Sequence, residues 1–222
     1  MDLGLSGKIA FITGASRGIG AATARLIAEE GADVVIGYHR NRSAAESTAE
    51  EVQRASRRAW LVELDVGDAA SVTSALERTR RLVPAIDVAV LCAGTNTIRP
   101  LLEMAEEEWD DVVRVNLSGT FYLLRAVAPW LRDSGAIVTV SSVAGQTGAA
   151  HHAHYAAAKA GVVNLTKSAA RALAPRIRVN CVAPGLTDTE MGKQAIGEQD
   201  DDYLKRKLLA QRMASPGEIA RS

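Results

Sequence analysis

Continuously apolar stretches alternate with amphipathic stretches along this chain. The apolar runs predict strands at residues 8–13, 33–37, 60–64, 86–92, 136–141 and 177–182. The stretches between them repeat apolar positions at helical spacing, and they predict helices at 19–30, 43–58, 69–82, 106–131 and 153–173. Strands without polar alternation, each followed by a helix, are typical of a parallel sheet covered on both faces. The pattern therefore predicts a doubly wound α/β fold of three layers.

Composition narrows the class of protein. Of 222 residues, 47% are hydrophobic, and 26 basic side chains balance 26 acidic ones, which is typical of one globular domain over residues 1–222. A net charge of zero favours neither a nucleic acid nor a membrane surface as partner. The first residues lack the pattern of a secretory signal, and Cys92 and Cys181 lie apart in apolar runs. These features predict a cytoplasmic protein with buried, reduced thiols.

A glycine-rich turn lies between the first strand and the first helix, with the sequence Thr13-Gly14-Ala15-Ser16-Arg17-Gly18-Ile19-Gly20. Its glycines permit a tight turn and let backbone amides approach a pyrophosphate at the positive end of the helix. This arrangement predicts a dinucleotide site of the Rossmann type. The alternative is a glycine-rich turn that binds nothing.

The end of the second strand bears on which dinucleotide would bind. An Asp or Glu there would accept hydrogen bonds from the ribose of NAD, but residues 37–42 contain no carboxylate. They carry His39, Arg40 and Arg42 instead, and Arg17 of the glycine-rich turn could converge with them. Guanidinium groups pair well with a 2′-phosphate, so NADP(H) is favoured over NAD(H). The alternative is that Arg40 and Arg42 are solvated loop charges.

A second chemical signal is the pair Tyr155 and Lys159, four positions apart in a helix-forming run. This spacing places the phenol and the ammonium on one helical face. A free phenol titrates near pH ~10, and a nearby ammonium would lower its pKa. The pair therefore predicts Tyr155 as a general acid or base, close to Ser141 and Ser142 at the end of the preceding strand.

Together these motifs resemble the short-chain dehydrogenase/reductase family, and among its members most of all the 3-oxoacyl-acyl-carrier-protein reductases. The matching segments, in family order, are 13–20, Asp65-Val66, Ala93-Gly94, Val115-Asn116-Leu117, Ser141-Ser142, Tyr155 to Lys159, and 180–185. The resemblance implies that Tyr155 is the proton donor to a substrate carbonyl and that Ser142 holds the carbonyl oxygen. It implies that Lys159 binds the nicotinamide ribose and tunes Tyr155, and that Asn116 holds a water in a proton relay to Lys159.

The resemblance also implies a wider set of cofactor contacts. Asp65 and Val66 would meet the adenine, and Ala93-Gly94 would line the cofactor ribose. The segment from Pro184 to Thr189 would meet the nicotinamide amide, and the stretch that follows, to about Tyr203, would form a mobile lid. The expected cofactor-binding residues are Gly14, Ser16, Arg17, Gly18, Ile19, Gly20, His39, Arg40, Asp65, Val66, Ala93, Gly94, Tyr155, Lys159, Pro184, Gly185, Thr187 and Thr189. No metal is required.

Two features depart from the family pattern. Leu91-Cys92 replaces the usual Asn-Asn before Ala93-Gly94, which predicts a strand end that is held differently, with stability affected more than chemistry. The chain also stops within a helix that Ser215 and Pro216 begin. We therefore expect a C-terminally truncated domain whose sixth strand is an exposed sheet edge.

The resemblance, with the basic residues after the second strand, implies hydride transfer between NADP(H) and a carbonyl or secondary alcohol on a small molecule. The alternatives are an NAD-dependent sugar, polyol or steroid dehydrogenase, a non-catalytic nucleotide-binding protein, or an inactive fragment. The resemblance implies a homodimer or homotetramer through the long helices at 106–131 and 153–173, weakened by the missing C-terminus.

Three histidines and two tryptophans have structural interpretations that need no catalytic role. His151, His152 and His154 precede Tyr155, and without an added carboxylate or thiolate they predict pocket-rim or solvated side chains, not metal ligands. Trp109 and Trp130 predict core or helix-interface anchors.

Overall fold

The computed structural model describes residues 3–196, 204–206 and 208–222. Its parallel sheet runs in the order β3-β2-β1-β4-β5-β6. Because the strand order reverses between β1 and β4, a crevice opens at their carboxyl ends, where such sheets bind ligands. The strands are β1 (Ile9–Thr13), β2 (Asp33–Tyr38), β3 (Ala59–Glu63), β4 (Ile86–Leu91), β5 (Leu131–Val140) and β6 (Ile177–Val182).

Helices cover the sheet and confirm the predicted three-layer architecture. Gly31, with φ of +93°, ends the first helix in the left-handed conformation that glycine tolerates. The helices are α1 (Gly18–Glu29), α2 (Arg42–Arg54), α3 (Ala69–Leu82), α4 (Glu106–Val113), α5 (Gly119–Val127), α6 (Ala144–Thr147), α7 (Ala153–Leu173), α8 (Glu190–Ile196) and α9 (Pro216–Ala220).

The prediction of a helical stretch over residues 106–131 is confirmed as far as residue 130, but the stretch is not α-helical throughout. A π-helical turn at 114–118 separates α4 from α5, and a 3₁₀ turn at 128–130 follows. Pro129 has no amide hydrogen to continue the helix. The next strand then begins at Leu131, earlier than predicted, and its pairing with β4 shifts register before Ala136.

Two apolar clusters, one on each face of the sheet, form the core. Phe11 and Val35 lie in one cluster, whereas Ile12 and Ile36 lie in the other, because successive strand residues point to opposite faces. Leu91, which stands where the family usually has an asparagine, packs in the first cluster and is part of the core.

The two tryptophans differ in environment. Trp130 is buried, and its indole Nε1 donates to the Val83 carbonyl at 2.8 Å, which confirms it as a core anchor. Trp109 on α4 leaves 38% of its surface exposed, so it is not part of the core.

The last described helix begins as predicted. The Ser215 Oγ accepts from the Glu218 amide at 3.2 Å, and the Glu218 carboxylate accepts in return from the Ser215 amide at 2.8 Å. This helix packs against α1. Among the described helices, none has the length and hydropathy of a bilayer-spanning segment.

Candidate active site

The predicted site residues converge at the carboxyl ends of β1, β4 and β5. The glycine-rich loop follows β1, Ala93-Gly94 follows β4, and Ser141-Ser142 follows β5. Helix α7 brings Tyr155 and Lys159 across the end of β5. The structure therefore unites residues from distant parts of the sequence in one crevice.

Lys159 is held at the end of β5 by hydrogen bonds in both directions. Its Nζ donates to the Val140 carbonyl at 2.8 Å, and the Ser141 Oγ donates to the Lys159 carbonyl at 2.7 Å. The lysine is only 4% exposed. Burial lowers its pKa to about 8, against a smaller opposing influence of Cys92 and Cys181. Its ammonium therefore exchanges a proton near neutral pH.

Tyr155 does not have the lowered pKa that its spacing from Lys159 predicts. Burial raises the pKa of the phenol, a hydrogen bond with Ser142 acts in the opposite direction, and Cys92 adds to the rise. The Lys159 Nζ lies 5.5 Å from the centroid of the tyrosine ring and donates to Val140 instead. The phenol is therefore protonated at neutral pH and is poised as a proton donor.

Asn116 lies in the π-helical turn and is completely buried. Its Nδ2 donates to the carbonyls of Thr95 at 2.7 Å and Val112 at 2.8 Å. Its Oδ1 has no hydrogen-bond partner within the described part of the chain. A Cβ placed on Gly94 would lie 2.7 Å from this oxygen and 3.5 Å from the Lys159 Nζ, so both polar atoms border the same small space.

The glycine-rich loop fits a dinucleotide phosphate. A Cβ on Gly14 would come within 2.9 Å of the Ala93 Cα, and one on Gly20 within 2.4 Å of the Gly14 carbonyl oxygen, so side chains are excluded there. Gly14 and Gly18 both adopt positive φ. Arg17 precedes α1 without capping it by its side chain, which leaves the first amides of the helix available to an anion. Ser16 and Ile19 are half-buried in the same loop.

The end of β2 presents His39 and Arg40 as exposed side chains. The other two predicted cations are engaged elsewhere, since Arg42 pairs with Glu46 along α2 and Arg17 pairs with Glu190 at the start of α8. Of the predicted basic cluster, Arg40 and His39 are therefore the members placed at the strand end.

Asp65, beyond β3, lies between two basic side chains. The His39 Nε2 is 3.9 Å from the Asp65 carboxylate, and an Arg114 Nη1 is 3.8 Å away on the other side. The Gly67 amide donates to Asp65 at 2.9 Å, and Val66 is buried. Arg114 belongs to no motif, so the sequence carried no signal for it.

The segment after β6 returns to the glycine-rich loop. The Val143 amide donates to the Pro184 carbonyl at 3.0 Å, and the buried Thr187 donates its hydroxyl to the Gly185 carbonyl at 3.0 Å. A Cβ on Gly18 would lie 3.2 Å from the Thr189 Cγ2. The predicted lid extends to Tyr203, which lies outside the described residues.

The sequence predicted that all three histidines before Tyr155 are solvated or at the rim of the pocket. The structure contradicts this prediction for His154. His151 is exposed, whereas His154 is fully buried and contacts the Thr97 hydroxyl at 2.8 Å through Nε2. His152 lies between them in burial, with Nδ1 at 3.0 Å from the Asn96 Nδ2. Spacing in the sequence gave no sign of this difference, because it depends on the loop that follows β4.

Cys92 and Cys181 are free thiols as predicted, and both are partly buried. Desolvation raises the pKa of Cys92 to about 11, with Lys159 and the Gly20 backbone acting against the rise. Cys92 is therefore a neutral thiol beside Lys159. Within the described ranges, no three His, Cys, Asp or Glu side chains converge as potential metal ligands.

Known proteins are similar to this chain in sequence and in fold. Residues 8–200 match the family model described as short chain dehydrogenase. The 3-oxoacyl-[acyl-carrier-protein] reductase FabG of Staphylococcus aureus is 40% identical over 207 residues, which are 92% of this chain and 82% of the relative. FabG of Escherichia coli is 38% identical over 221 residues, 98% of this chain and 88% of the relative.

Solved structures of short-chain dehydrogenases have the same fold as this chain. A short chain dehydrogenase from Burkholderia cenocepacia, in complex with NADP, superposes with a TM-score of 0.91 at 32% identity, covering 98% of this chain and 89% of that one. A dehydrogenase/reductase from Sinorhizobium meliloti gives a TM-score of 0.90 at 35% identity, covering 97% and 86%. The chain therefore belongs to the short-chain dehydrogenase family, and it is an oxidoreductase that acts on carbonyl or alcohol groups.

Proposed function

We propose that this protein is an NADP(H)-dependent reductase of 3-oxoacyl thioesters carried on an acyl carrier protein. The observation that carries the proposal is the juxtaposition of Ser142 and Tyr155 with Lys159 and Asn116 at the carboxyl end of the sheet. The relatives named FabG support this substrate class, and the NADP complex of the Burkholderia protein supports the cofactor.

In the proposed reaction, the phenol of Tyr155 donates its proton to the carbonyl oxygen of the substrate. Burial keeps this phenol protonated, and Ser142, its hydrogen-bond partner, holds the same carbonyl oxygen in line with the proton. The bound nicotinamide supplies the hydride that adds to the carbonyl carbon. The product is the corresponding alcohol, and Tyr155 is left as a phenolate.

Lys159 and Asn116 then return a proton to the Tyr155 phenolate. The Lys159 ammonium, with a pKa of about 8, stabilises the phenolate and is matched to proton exchange near neutral pH. We assign the Asn116 Oδ1 as the acceptor that positions a relay water beside Lys159, since it is a buried oxygen with no partner in the described part of the chain. Lys159 also holds the ribose of the cofactor.

The preference for NADP(H) rests on the end of β2. His39 and Arg40 are exposed there, and residues 37–42 contain no carboxylate that would bind the ribose hydroxyls of NAD. Arg40 pairs with the 2′-phosphate, Asp65 and Val66 meet the adenine, and the glycine-rich loop holds the pyrophosphate. Ala93 and Gly94 line the ribose, while Pro184, Gly185, Thr187 and Thr189 border the nicotinamide.

We also propose that the protein is a homodimer through the face made by α4 and α5. Trp109 is 38% exposed and Phe121 is 44% exposed, which leaves two large aromatic rings unburied on adjacent helices. Aromatic side chains of this kind are typical anchors of protein interfaces.

The test is to measure oxidation of NADPH and of NADH with an acetoacetyl thioester and with a steroid ketone, and in parallel reduction of NADP⁺ and of NAD⁺ with sugars, polyols and a steroid alcohol. We expect turnover of the thioester with NADPH, and a loss of at least about a hundredfold in kcat for Tyr155→Phe with unchanged NADPH affinity. Turnover of a different substrate class would overturn the thioester assignment. Saturable NADPH binding without any turnover would identify a nucleotide-binding protein instead.

A further inference from the structure

Helix α7 lacks an ordinary cap at the end where it carries the catalytic tyrosine. The first four amides of a helix have no partner within it, and they are usually satisfied by the residue before the helix. Here His152 occupies that position and its side chain does not cap. The first amide with a backbone partner is that of Ala156, which donates to the His152 carbonyl at 2.8 Å.

His154 takes over the capping. The backbone amide of Tyr155 donates to the His154 Nδ1 at 2.8 Å. An amide can only donate, so Nδ1 carries no hydrogen, and the single ring hydrogen of the neutral imidazole is on Nε2. That hydrogen is donated to the Thr97 Oγ1 at 2.8 Å. Both ring nitrogens are thus satisfied, and only one tautomer of His154 fits.

The same contact joins the catalytic tyrosine to the loop after β4. Thr97 lies in residues 95–99, and the Thr95 carbonyl of that loop accepts from the Asn116 side chain at 2.7 Å. The Arg99 amide also donates to the His151 carbonyl at 2.9 Å. His154 is fully buried between α7 and this loop. Its position therefore depends on two elements that both border the site.

We propose that His154 is a positioning residue for Tyr155, which as its neutral Nε2–H tautomer fixes the first turn of α7 against the loop after β4 and releases it when protonated. The proposal rests on the proposed function, since it concerns the tyrosine that donates the proton. Protonation would place a hydrogen on Nδ1, facing the hydrogen of the Tyr155 amide, and the hydrogen bond would be lost.

The groups around His154 determine the pH at which it is protonated and the hydrogen bond to the Tyr155 amide is lost. Burial lowers the pKa of His154, and the Glu108 carboxylate on α4 and the His152 carbonyl oppose that shift, whereas the His152 ring adds to it. Arg99 of the loop binds Glu108 at 3.0 Å and reduces its influence. A histidine with a lowered pKa is neutral at pH 7, so the contact is intact there and is lost only under mild acid.

Two substitutions separate positioning from simple packing. His154→Asn keeps an acceptor oxygen close to the position of Nδ1 and removes the titration, whereas His154→Leu fills the space without an acceptor. We expect kcat of the Asn variant to exceed that of the Leu variant by about tenfold or more, with the NADPH Kd equal in both. His151→Asn, at an exposed neighbouring histidine, is the matched control and should behave as the wild type.

The pH profile provides the second readout. The wild type should lose kcat in mild acid, below the usual titration range of histidine, and the loss should follow the titration of His154 observed by NMR. The Asn variant should lack this acid limb. An equal kcat in the Asn and Leu variants, or an Nδ1–H tautomer in the wild type at pH 7.5, would overturn the proposal.

A third readout needs no turnover, so it distinguishes failure of this proposal from failure of the proposed function. Hydrogen exchange of the Tyr155 amide should be slow in the wild type and in His154→Asn, and faster by about tenfold or more in His154→Leu. Slow exchange in all three would show that His154 does not hold this amide, whatever the substrate proves to be.

Discussion

At the scale of single residues, the site combines groups whose burial is unfavourable in itself. Lys159 is almost completely buried, and its pKa falls from 10.5 to about 8. The folded state therefore binds this proton less tightly than the unfolded state does. Below about pH 8 the lysine is charged in both states, and folding bears the full cost of burying the charge. Above about pH 10.5 it is neutral in both, and the cost is absent.

This cost predicts that Lys159→Met stabilises the protein while abolishing turnover. Removing the buried charge should raise the free energy of unfolding by about 1 to 3 kcal/mol at pH 7, and the gain should shrink as the pH rises above about 8. Urea unfolding at several pH values measures it. Lys167→Met, at an exposed position on the same helix, is the control and should change stability little. A destabilised Lys159→Met variant would contradict the prediction.

Arg40 gives a second prediction at this scale. Arg40→Asp replaces the proposed partner of the 2′-phosphate with a carboxylate, so the NADPH Kd should rise by about tenfold or more and the NADH Kd should fall. Titration of nicotinamide fluorescence measures both. Arg42→Ala is the control, because Arg42 is paired with Glu46 at 2.9 Å and should not affect either affinity. Equal losses for both variants would mean that Arg40 acts only through general charge.

At the scale of elements, the π-helical turn at 114–118 builds the Asn116 environment. Asn116→Ala removes two hydrogen bonds, to the Thr95 and Val112 carbonyls, and should cost about 1 to 3 kcal/mol of stability. It should also lower turnover per folded molecule by about tenfold or more, because the acceptor oxygen beside Lys159 is lost.

The matched control for this variant is Thr120→Ala. The Thr120 Oγ1 donates to the Asn116 carbonyl at 2.7 Å, so the control loosens the same turn without touching the amide. It should lose stability and keep its turnover at a temperature where it is folded. Parallel losses of turnover in both variants would indicate that the turn matters only structurally.

The elements also show how far sequence reasoning reaches. Apolar periodicity located each strand within a few residues, except that β5 begins earlier, because burial and strand formation are set by neighbours in sequence. It could not locate the π-helical turn at 114–118 within the predicted helix. In that turn the side chain of Asn116 reaches the Thr95 carbonyl, 21 positions away in the sequence, and periodicity contains no information about such a contact.

For the site residues too, the sequence predicts what a local motif encodes and misses what depends on contacts between distant segments. Tyr155 and Lys159 belong to a motif in sequence, and the structure places them together with Ser142 as expected. The buried His154 and the Arg114 beside Asp65 owe their positions to loops that fold against them, so spacing alone predicted a rim histidine and no arginine. The raised pKa of Tyr155 likewise follows from burial, which the motif does not encode.

At the scale of the whole molecule, the exposed aromatic face predicts assembly. Phe121→Glu should convert the proposed dimer into a monomer, since a carboxylate at the centre of an apolar interface would lose its water. Light scattering after gel filtration measures the mass. Leu82→Glu, at a leucine that is 71% exposed at the end of α3, is the control and should leave the mass unchanged. A monomeric wild type would refute the interface.

The reciprocal hydrogen bonds between the end of β5 and Lys159 extend to the behaviour of the whole chain. Val140 accepts from the lysine side chain while Ser141 donates to its backbone, so the position of Lys159 is fixed to the end of β5, an interior strand of the sheet. The site therefore depends on the packing of α7 against the end of β5. We expect catalytic activity to disappear in denaturant together with the protected amides of β5 and α7, and not before them.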